Sequence, residues 1–152
     1  VDRVEFLLST NPGAEPRPLV QVASGGETSR LMLAIKSALQ DANVIPILIF
    51  DELEMGVGAR SGDVIGKKLW SLSKERQVLC VTHLPQVASY GDTHLRVAKE
   101  VVLERTFTQV NILNEEERVK ELAEMFGGAN TNLYHTAQDL LESAMSWKIA
   151  QV

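Results

Sequence analysis

Two adjacent carboxylates, Asp51 and Glu52, stand at the end of the apolar run Ile47-Leu48-Ile49-Phe50. A buried strand that runs straight into two acids presents them at its carboxyl end, where open α/β sheets hold their ligands. A second apolar run, Val78-Leu79-Cys80-Val81-Thr82, ends at His83. Ahead of a helical pattern lies Ala23-Ser24-Gly25-Gly26-Glu27. Paired glycines let a backbone approach an anion, and a helix N-terminus offers it free N–H groups and partial positive charge. The chemistry these groups suit is that of phosphate. Asp51 suits a hydrated Mg²⁺, which prefers oxygen ligands, keeps several waters and takes few carboxylates. Glu52 could accept a proton from an attacking water or orient it, and His83 could hydrogen-bond a phosphate oxygen or that water. Each has a plainer reading. An acid can cap a helix or pair with a cation, a strand-end histidine can be satisfied by backbone, and Ser24 with Glu27 has the spacing of a capping box on a flexible turn.

The elements that must position these groups follow from periodicity. The run before Asp51, preceded by Pro46, is expected to be a strand buried on both faces, as in a parallel sheet with helices on each side. Leu31, Ile35, Ala38 and Leu39 fall at helical spacing after the glycine pair. Residues 59–75 repeat that spacing with Ile65, Leu69 and Leu72, and Pro85 can open a short helix over 84–90. Leu95 and Val97 alternate with polar residues as an edge strand does, and Val101 to Leu113 reads as one or two more strands with Phe107 as a core contact. Upstream, Val4 to Leu8 is a short apolar run, residues 9–18 are a proline- and glycine-rich loop, and 19–22 are extended. The tail is helical. Asn114 with Glu117 is a cap, Val119, Leu122, Ala123 and Phe126 share a face, and Gly127-Gly128 stops that helix. A last helix from about Asn132 carries Leu133, Ala137, Leu140, Leu141 and Ala144. Strands alternating with helices predict an α/β fold.

Composition narrows the field. With 152 residues, 45% hydrophobic and 23% charged, the chain has room for one domain with a real core. No apolar run reaches the roughly 20 residues that span a bilayer, and nothing at the start reads as a signal peptide. A net charge of −5 with scattered lysines and arginines does not make a nucleic-acid surface of this segment alone. Cys80, the single cysteine, reads as a buried thiol in a cytosolic protein. The chain begins at Val1, from which a piece of a longer polypeptide or a processed chain is expected. No repeat, low-complexity segment or Cys/His metal cluster is visible in it.

The motifs carry a resemblance. Ala23-Ser24-Gly25-Gly26-Glu27 resembles the signature motif of ABC-type ATPases, Ile47 to Glu52 their Walker B strand with its catalytic glutamate, Glu54 to Gly58 their D-loop, and Thr82-His83 their switch histidine, in the same order and spacing. More narrowly, the chain resembles the bacterial RecN family of SMC-like DNA repair ATPases. The closest stretches are Val4 to Leu7 with Asn11-Pro12-Gly13, Ile49 to Glu52, Val81 to Ala88, and Glu121-Leu122-Ala123 with Gly127-Gly128. The resemblance covers nearly the whole chain. It implies that residues 1–152 are the C-terminal half of an ATPase head, a mostly parallel sheet flanked by helices with a helical C-terminal tail. The N-terminal half of such a head carries the Walker A loop, a long coiled coil separates the halves, and two heads sandwich two ATP molecules. By that resemblance Ser24, Gly25, Gly26 and Glu27 meet the γ-phosphate of ATP in trans, Asp51 holds Mg²⁺ through water, Glu52 polarises the attacking water, His83 senses the γ-phosphate, and Gly58 lies in the D-loop. The implied partners are the Walker A half, a second head and, through the full-length protein, DNA; the implied place is the bacterial cytoplasm at the nucleoid, and the implied role is double-strand break repair and recombination.

Departures accompany the likeness. No Gly-x-x-Gly-x-Gly-Lys-Ser/Thr occurs, so the chain cannot cradle β- and γ-phosphates by itself. Gly58 stands where the family commonly has serine, and Thr28 where it is usually apolar. A reading from another class is a non-catalytic dimerisation or interaction module with a vestigial site. A stand-alone Mg²⁺ phosphohydrolase would need a second acidic cluster that the chain lacks.

Overall fold

The computed structural model describes residues 4–9, 13–18, 25–38, 45–56, 58–103, 105–128 and 130–151. Two short strands, β1 (Leu7–Leu8) and β2 (Arg17–Pro18), pair antiparallel, so the end of the expected loop is a strand. The segment 19–22 lies outside the described residues. Helix α1 (Gly25–Ala38) leads to β3 (Ile47–Asp51), α2 (Ala59–Ser73) and β4 (Gln77–Val81). Strands β3 and β4 are parallel, with Ile47 opposite Gln77 and Asp51 opposite Val81, and α2 is the crossover between them. Leu33 of α1 and Ile65, Leu69 and Leu72 of α2 pack with Leu48 and Phe50 in one core, joined by Leu53 and Val87. The expected apolar face of α2 is therefore the one used, while on α1 the buried residue is Leu33, which stands on the face of Gly26 and Arg30; of the residues expected there, Leu31 and Ile35 are half-buried, Ala38 is exposed, and Leu39 lies outside the described residues.

The strand differs from expectation in one respect. It is buried on one face only: Phe50 is 5% exposed and Ile49 71%. Ile47, Leu79 and Val81 are exposed as well. Successive strand residues point to opposite faces, and among the described residues nothing covers the second one.

The sheet expectation is also corrected. The pair that carries the acids is parallel, while the other described sheets are antiparallel. After a short helix, α3 (Pro85–Ala88), with Pro85 in its first turn, strands β5 (Leu95–Val102) and β6 (Arg105–Ile112) form a hairpin that pairs Leu95 with Ile112 and Val102 with Arg105. A connection this short can only join antiparallel strands. Val101 and Val102 thus complete the strand that Leu95 begins. Phe107 is not a core contact: it lies opposite Glu100 and is 51% exposed, on a strand exposed along its whole length. The hairpin is a two-stranded ribbon tethered to the body by charge, Arg96 Nε lying 2.7 Å from Glu121 Oε2.

The tail closes the fold. Helix α4 (Glu115–Met125) opens with a full capping box. Asn114 Oδ1 accepts from the Glu117 N–H at 2.9 Å, and Glu117 Oε2 accepts from the Asn114 N–H at 2.8 Å. Gly127, at φ +108°, follows it. Helix α5 (Thr131–Ile149) is capped by Asn130, whose Oδ1 accepts from the Leu133 N–H, so it begins a residue before the expected point. Leu122, Ala123 and Ala137 are the buried centre of the α4–α5 contact. The end of α5 docks on α2 through Trp147. Its ring lies 5.6 Å from that of Trp70 and 5.7 Å from that of Tyr90, both edge-on. Gly66 leaves no room for a Cβ beside the Tyr90 ring.

Candidate active site

Strand β3 delivers Asp51 to the end of the parallel pair, and Glu52 extends the pairing by one bond, its N–H donating to the Val81 carbonyl at 3.3 Å. There the chain turns sharply. Glu52 has φ +50° and Gly56 φ +77°, and the Met55 N–H donates to the Glu52 carbonyl at 3.1 Å. A non-glycine residue in the left-handed region costs about 1–2 kcal/mol, and such residues cluster at functional sites where surrounding structure holds them. Leu53, fully buried, supplies the hold. The core anchors the turn while Asp51 and Glu52 remain exposed at the strand end.

The next acid does the opposite. Glu54 is 2% exposed. Its Oε1 accepts from Thr82 Oγ1 at 2.6 Å and from the His83 N–H at 2.7 Å, and it lies 3.1 Å from His83 Nδ1. Thr82 Oγ1 in turn accepts from the Leu84 N–H at 3.1 Å. Burying a carboxylate is costly unless donors surround it, and here the donors come from the end of the neighbouring strand. The same carboxylate oxygen thus binds the turn after Asp51-Glu52 to the segment that presents His83. The imidazole itself is 76% exposed. Behind this group, burial first, then the charges of Glu54 and Asp51, push the Cys80 thiol up to about 12. The cysteine is half-buried rather than enclosed.

Helix α1 is fastened to the same turn. Gly26 is buried against Met55, where an added Cβ would lie 2.6 Å from the Met55 carbonyl oxygen. One turn on, Arg30 Nη1 donates to the carbonyls of Leu53 at 3.0 Å and Met55 at 2.6 Å. Gly25 is the first residue of the helix. Ser24 and the side chain of Glu27 lie outside the described residues, and the capping box expected of them with them. Gly58 is exposed at the other end of the turn, the N-cap of α2 with φ −78° and no side chain to cap it; its carbonyl accepts from the Ser61 N–H at 3.0 Å.

The fold therefore brings Asp51, Glu52, Thr82 and His83 to the carboxyl ends of two adjacent parallel strands and sets Gly26 against the turn between them. Among the described residues no group of three or more His, Cys, Asp or Glu side chains could hold a metal ion. A lone exposed carboxylate at Asp51 fits a cation that keeps its waters and takes most ligands elsewhere, as Mg²⁺ does on a nucleotide. Glu54, read from sequence only as the start of the D-loop-like stretch, and Arg30 are the residues at this site whose contacts sequence reasoning did not single out. The available signals were an acid inside a turn flanked by an acid pair and a glycine, and an arginine four residues beyond the second glycine of a glycine pair.

No family model matches the chain. It is 47% identical over 150 residues to the DNA repair protein RecN of Halalkalibacterium halodurans, covering 97% of this chain and 26% of that one. It is 46% identical over 146 residues to RecN of Bacillus subtilis (95% and 25%), and 47% over 129 residues to RecN of Xylella fastidiosa strain 9a5c (85% and 23%). The chain thus spans about a quarter of the length of the curated relatives it matches. In structure it is similar, with a TM-score of 0.54 and 20% identity over 82% of this chain and 81% of the other, to a chain solved in work on the structural biochemistry of ATP-driven dimerization and DNA stimulated activation of SMC ATPases. At that identity the likeness is one of fold. Over the segment it spans, the chain belongs to the RecN family.

Proposed function

We propose that this segment is the C-terminal half of an ATPase head, and that it binds and hydrolyses ATP at a head–head interface in a protein of DNA double-strand break repair and recombination. The observation that carries the proposal is the placement of Asp51-Glu52 and Thr82-His83 at the ends of one parallel strand pair, cross-bonded through Glu54. Positioning and charge neutralisation account for most of phosphoryl-transfer catalysis, and these groups form a partial set for it. Mg²⁺, when bound, supplies charge neutralisation at the phosphates. Asp51 holds it, through water. Glu52, pointed outward by the turn, orients the attacking water and takes its proton. His83 hydrogen-bonds the γ-phosphate. Ser24, Gly25, Gly26 and Glu27 meet the γ-phosphate held by the opposite head, and Gly58 lies in the D-loop at that interface.

The Walker A half, absent from these residues, is the first partner. Ile47, Ile49, Leu79 and Val81 expose one face of the parallel pair, and parallel sheets are ordinarily covered on both faces, which supports a second lobe seated there. A second head and, through the full-length protein, DNA are the others. The setting proposed is the bacterial cytoplasm; no helix among the described residues is long and apolar enough to cross a membrane.

The test is Glu52→Gln in the complete protein. Removing a general base costs roughly 10²–10⁴-fold, so hydrolysis collapses while ATP binding and ATP-dependent dimers persist. Unchanged turnover removes Glu52 from this role. The isolated segment is expected to be inactive, and ATP hydrolysis by it at ordinary enzyme rates, about 1 s⁻¹ or more, defeats the half-site reading. The exposed apolar residues of the β5–β6 hairpin, Val97, Val110 and Ile112 among them, favour a second reading, a non-catalytic dimerisation module. Under it the complete protein dimerises without ATP, and Ser24→Arg leaves dimers intact.

A further inference from the structure

The turn that presents Glu52 is fixed one peptide unit after another. The Glu52 N–H donates to the Val81 carbonyl, and the Glu52 carbonyl accepts from the Met55 N–H at 3.1 Å. The carbonyls of Leu53 and Met55, on either side of Glu54, are both taken by one atom, Nη1 of Arg30, at 3.0 and 2.6 Å. Of the four peptide units between Glu52 and Gly56, the arginine therefore holds two and the bond that closes the turn holds the other two. Seating α1 does not require this. Leu33, on the same helix face, is 5% exposed in the core that Leu53 shares. Hydrogen bonds from a charged donor are roughly twice as strong as neutral ones, and these two fall on the turn that keeps Glu52 at φ +50°. A residue in that region stays there only while its surroundings hold it.

We infer that Arg30 is a positioning residue for Glu52: it locks the turn from Leu53 to Met55 from the side of α1 and so keeps the Glu52 backbone in its left-handed conformation at the strand end. The lock rests on the hydrogen bonds alone, while its consequence for hydrolysis rests on the role proposed above for Glu52. Gly26 gives the guanidinium its place, since a Cβ there would lie 3.1 Å from Nη1. The far side of the turn is held by Glu54 on the Thr82 hydroxyl and the His83 N–H, so arginine and glutamate grip one short loop from two sides. Arg30 acts only through the placement of Glu52, and a misplacement of about 1 Å at a reacting group can cost about 100-fold in rate.

Hydrogen exchange in the complete protein reads the lock without any assay of catalysis. Overlapping peptides across residues 52–56 isolate the Met55 amide. Arg30→Met keeps the apolar stem and loses the donors. Exchange at Met55 should then quicken by about 10–100-fold, the factor that hydrogen bonds to charged groups support, while the amides of β4 keep their protection. Exchange unchanged at Met55, or raised equally throughout β4, overturns the inference. Turnover of the same variant is the second readout. Its kcat should fall by about 10–100-fold, with KM for ATP and ATP-dependent dimers as in wild type. In a Glu52→Gln background Arg30→Met should subtract nothing further, because it acts through that carboxylate. Loss of the dimers, or a full additional loss in that background, also overturns the inference, since the arginine would then serve the seating of α1. If Glu52→Gln itself leaves turnover unchanged, the role proposed for Glu52 fails, and exchange at Met55 alone decides whether Arg30 locks the turn. Arg30→Lys keeps a charged donor on a shorter stem and should recover part of both losses. It decides the matter if Arg30→Met does not fold: protection and kcat must fall together, and a fall in kcat without a fall in protection overturns the inference.

Discussion

Gly26→Ala is a test of how α1 is seated. The added Cβ would lie 2.6 Å from the Met55 carbonyl oxygen, 2.7 Å from Met55 Cβ and 3.1 Å from Arg30 Nη1. Non-bonded carbon atoms settle at about 3.5–4.0 Å, so helix and turn must part by about an ångström. Neither obstructing Met55 atom can rotate away: one is backbone, the other is fixed to it. Overpacking of this kind costs about 1–3 kcal/mol. Alanine recovers at most about 1 kcal/mol of helix propensity over glycine, and less in the first turn. The net expectation is a loss of about 1–2 kcal/mol, a fall in Tm of about 2–8 °C for a domain of this size. Arg30 adds to the effect, since parting α1 from the turn stretches its 2.6 Å bond to the Met55 carbonyl. Differential scanning calorimetry of the variant measures the change. An unchanged or raised Tm would refute the reasoning, because the glycine would then not be required by this contact.

Two further outcomes follow from other parts of the molecule. Cys80 ionises near 9.0 when exposed and is pushed up to about 12 in the fold, by burial first and then by Glu54 and Asp51; the folded state keeps a proton that the unfolded chain releases, so its contribution is whole below pH 9.0 and is lost as pH rises toward about 12. Urea midpoints of Cys80→Ala should therefore fall less steeply than those of wild type between about pH 9 and 11, and parallel slopes would contradict the assignment. Asn114→Ala removes the side-chain half of the capping box and should cost about 1 kcal/mol, seen as a Tm lower by about 2–4 °C; no change would mean that the packing of Leu122 and Ala123 alone sets the start of α4.

The parallel pair and its acids were legible because two apolar runs end abruptly in groups that do chemistry, and a helix of the right period lies between them. The exposure of Ile49 was not. An apolar run tells that a strand is suited to burial on both faces, not which faces are covered, and among the described residues nothing covers that of Ile49. Phe107 misled for a related reason: an aromatic on an alternating strand marks a face that packs somewhere, not where. Glu54 was hidden because its meaning is tertiary. Nothing local distinguishes it from the acids beside it, and its partners lie 28 and 29 residues away, on the neighbouring strand's end. Arg30 was hidden likewise, since its two acceptors are backbone carbonyls, which any sequence supplies.

The aromatic clamp between α2 and α5 has a practical consequence. The chain's two tryptophans, Trp70 and Trp147, are both in it, ring against ring, with Tyr90 edge-on beside them and lysine ammonium groups within 6 Å of each indole. The clamp grips α2 near its C-terminal end, where the chain heads back to the start of β4, away from the strand ends that carry Asp51 and His83. Intrinsic fluorescence is therefore a reporter of whether the last helix is docked. It will follow undocking of the tail, since both indoles then lose the contacts that the clamp gives them.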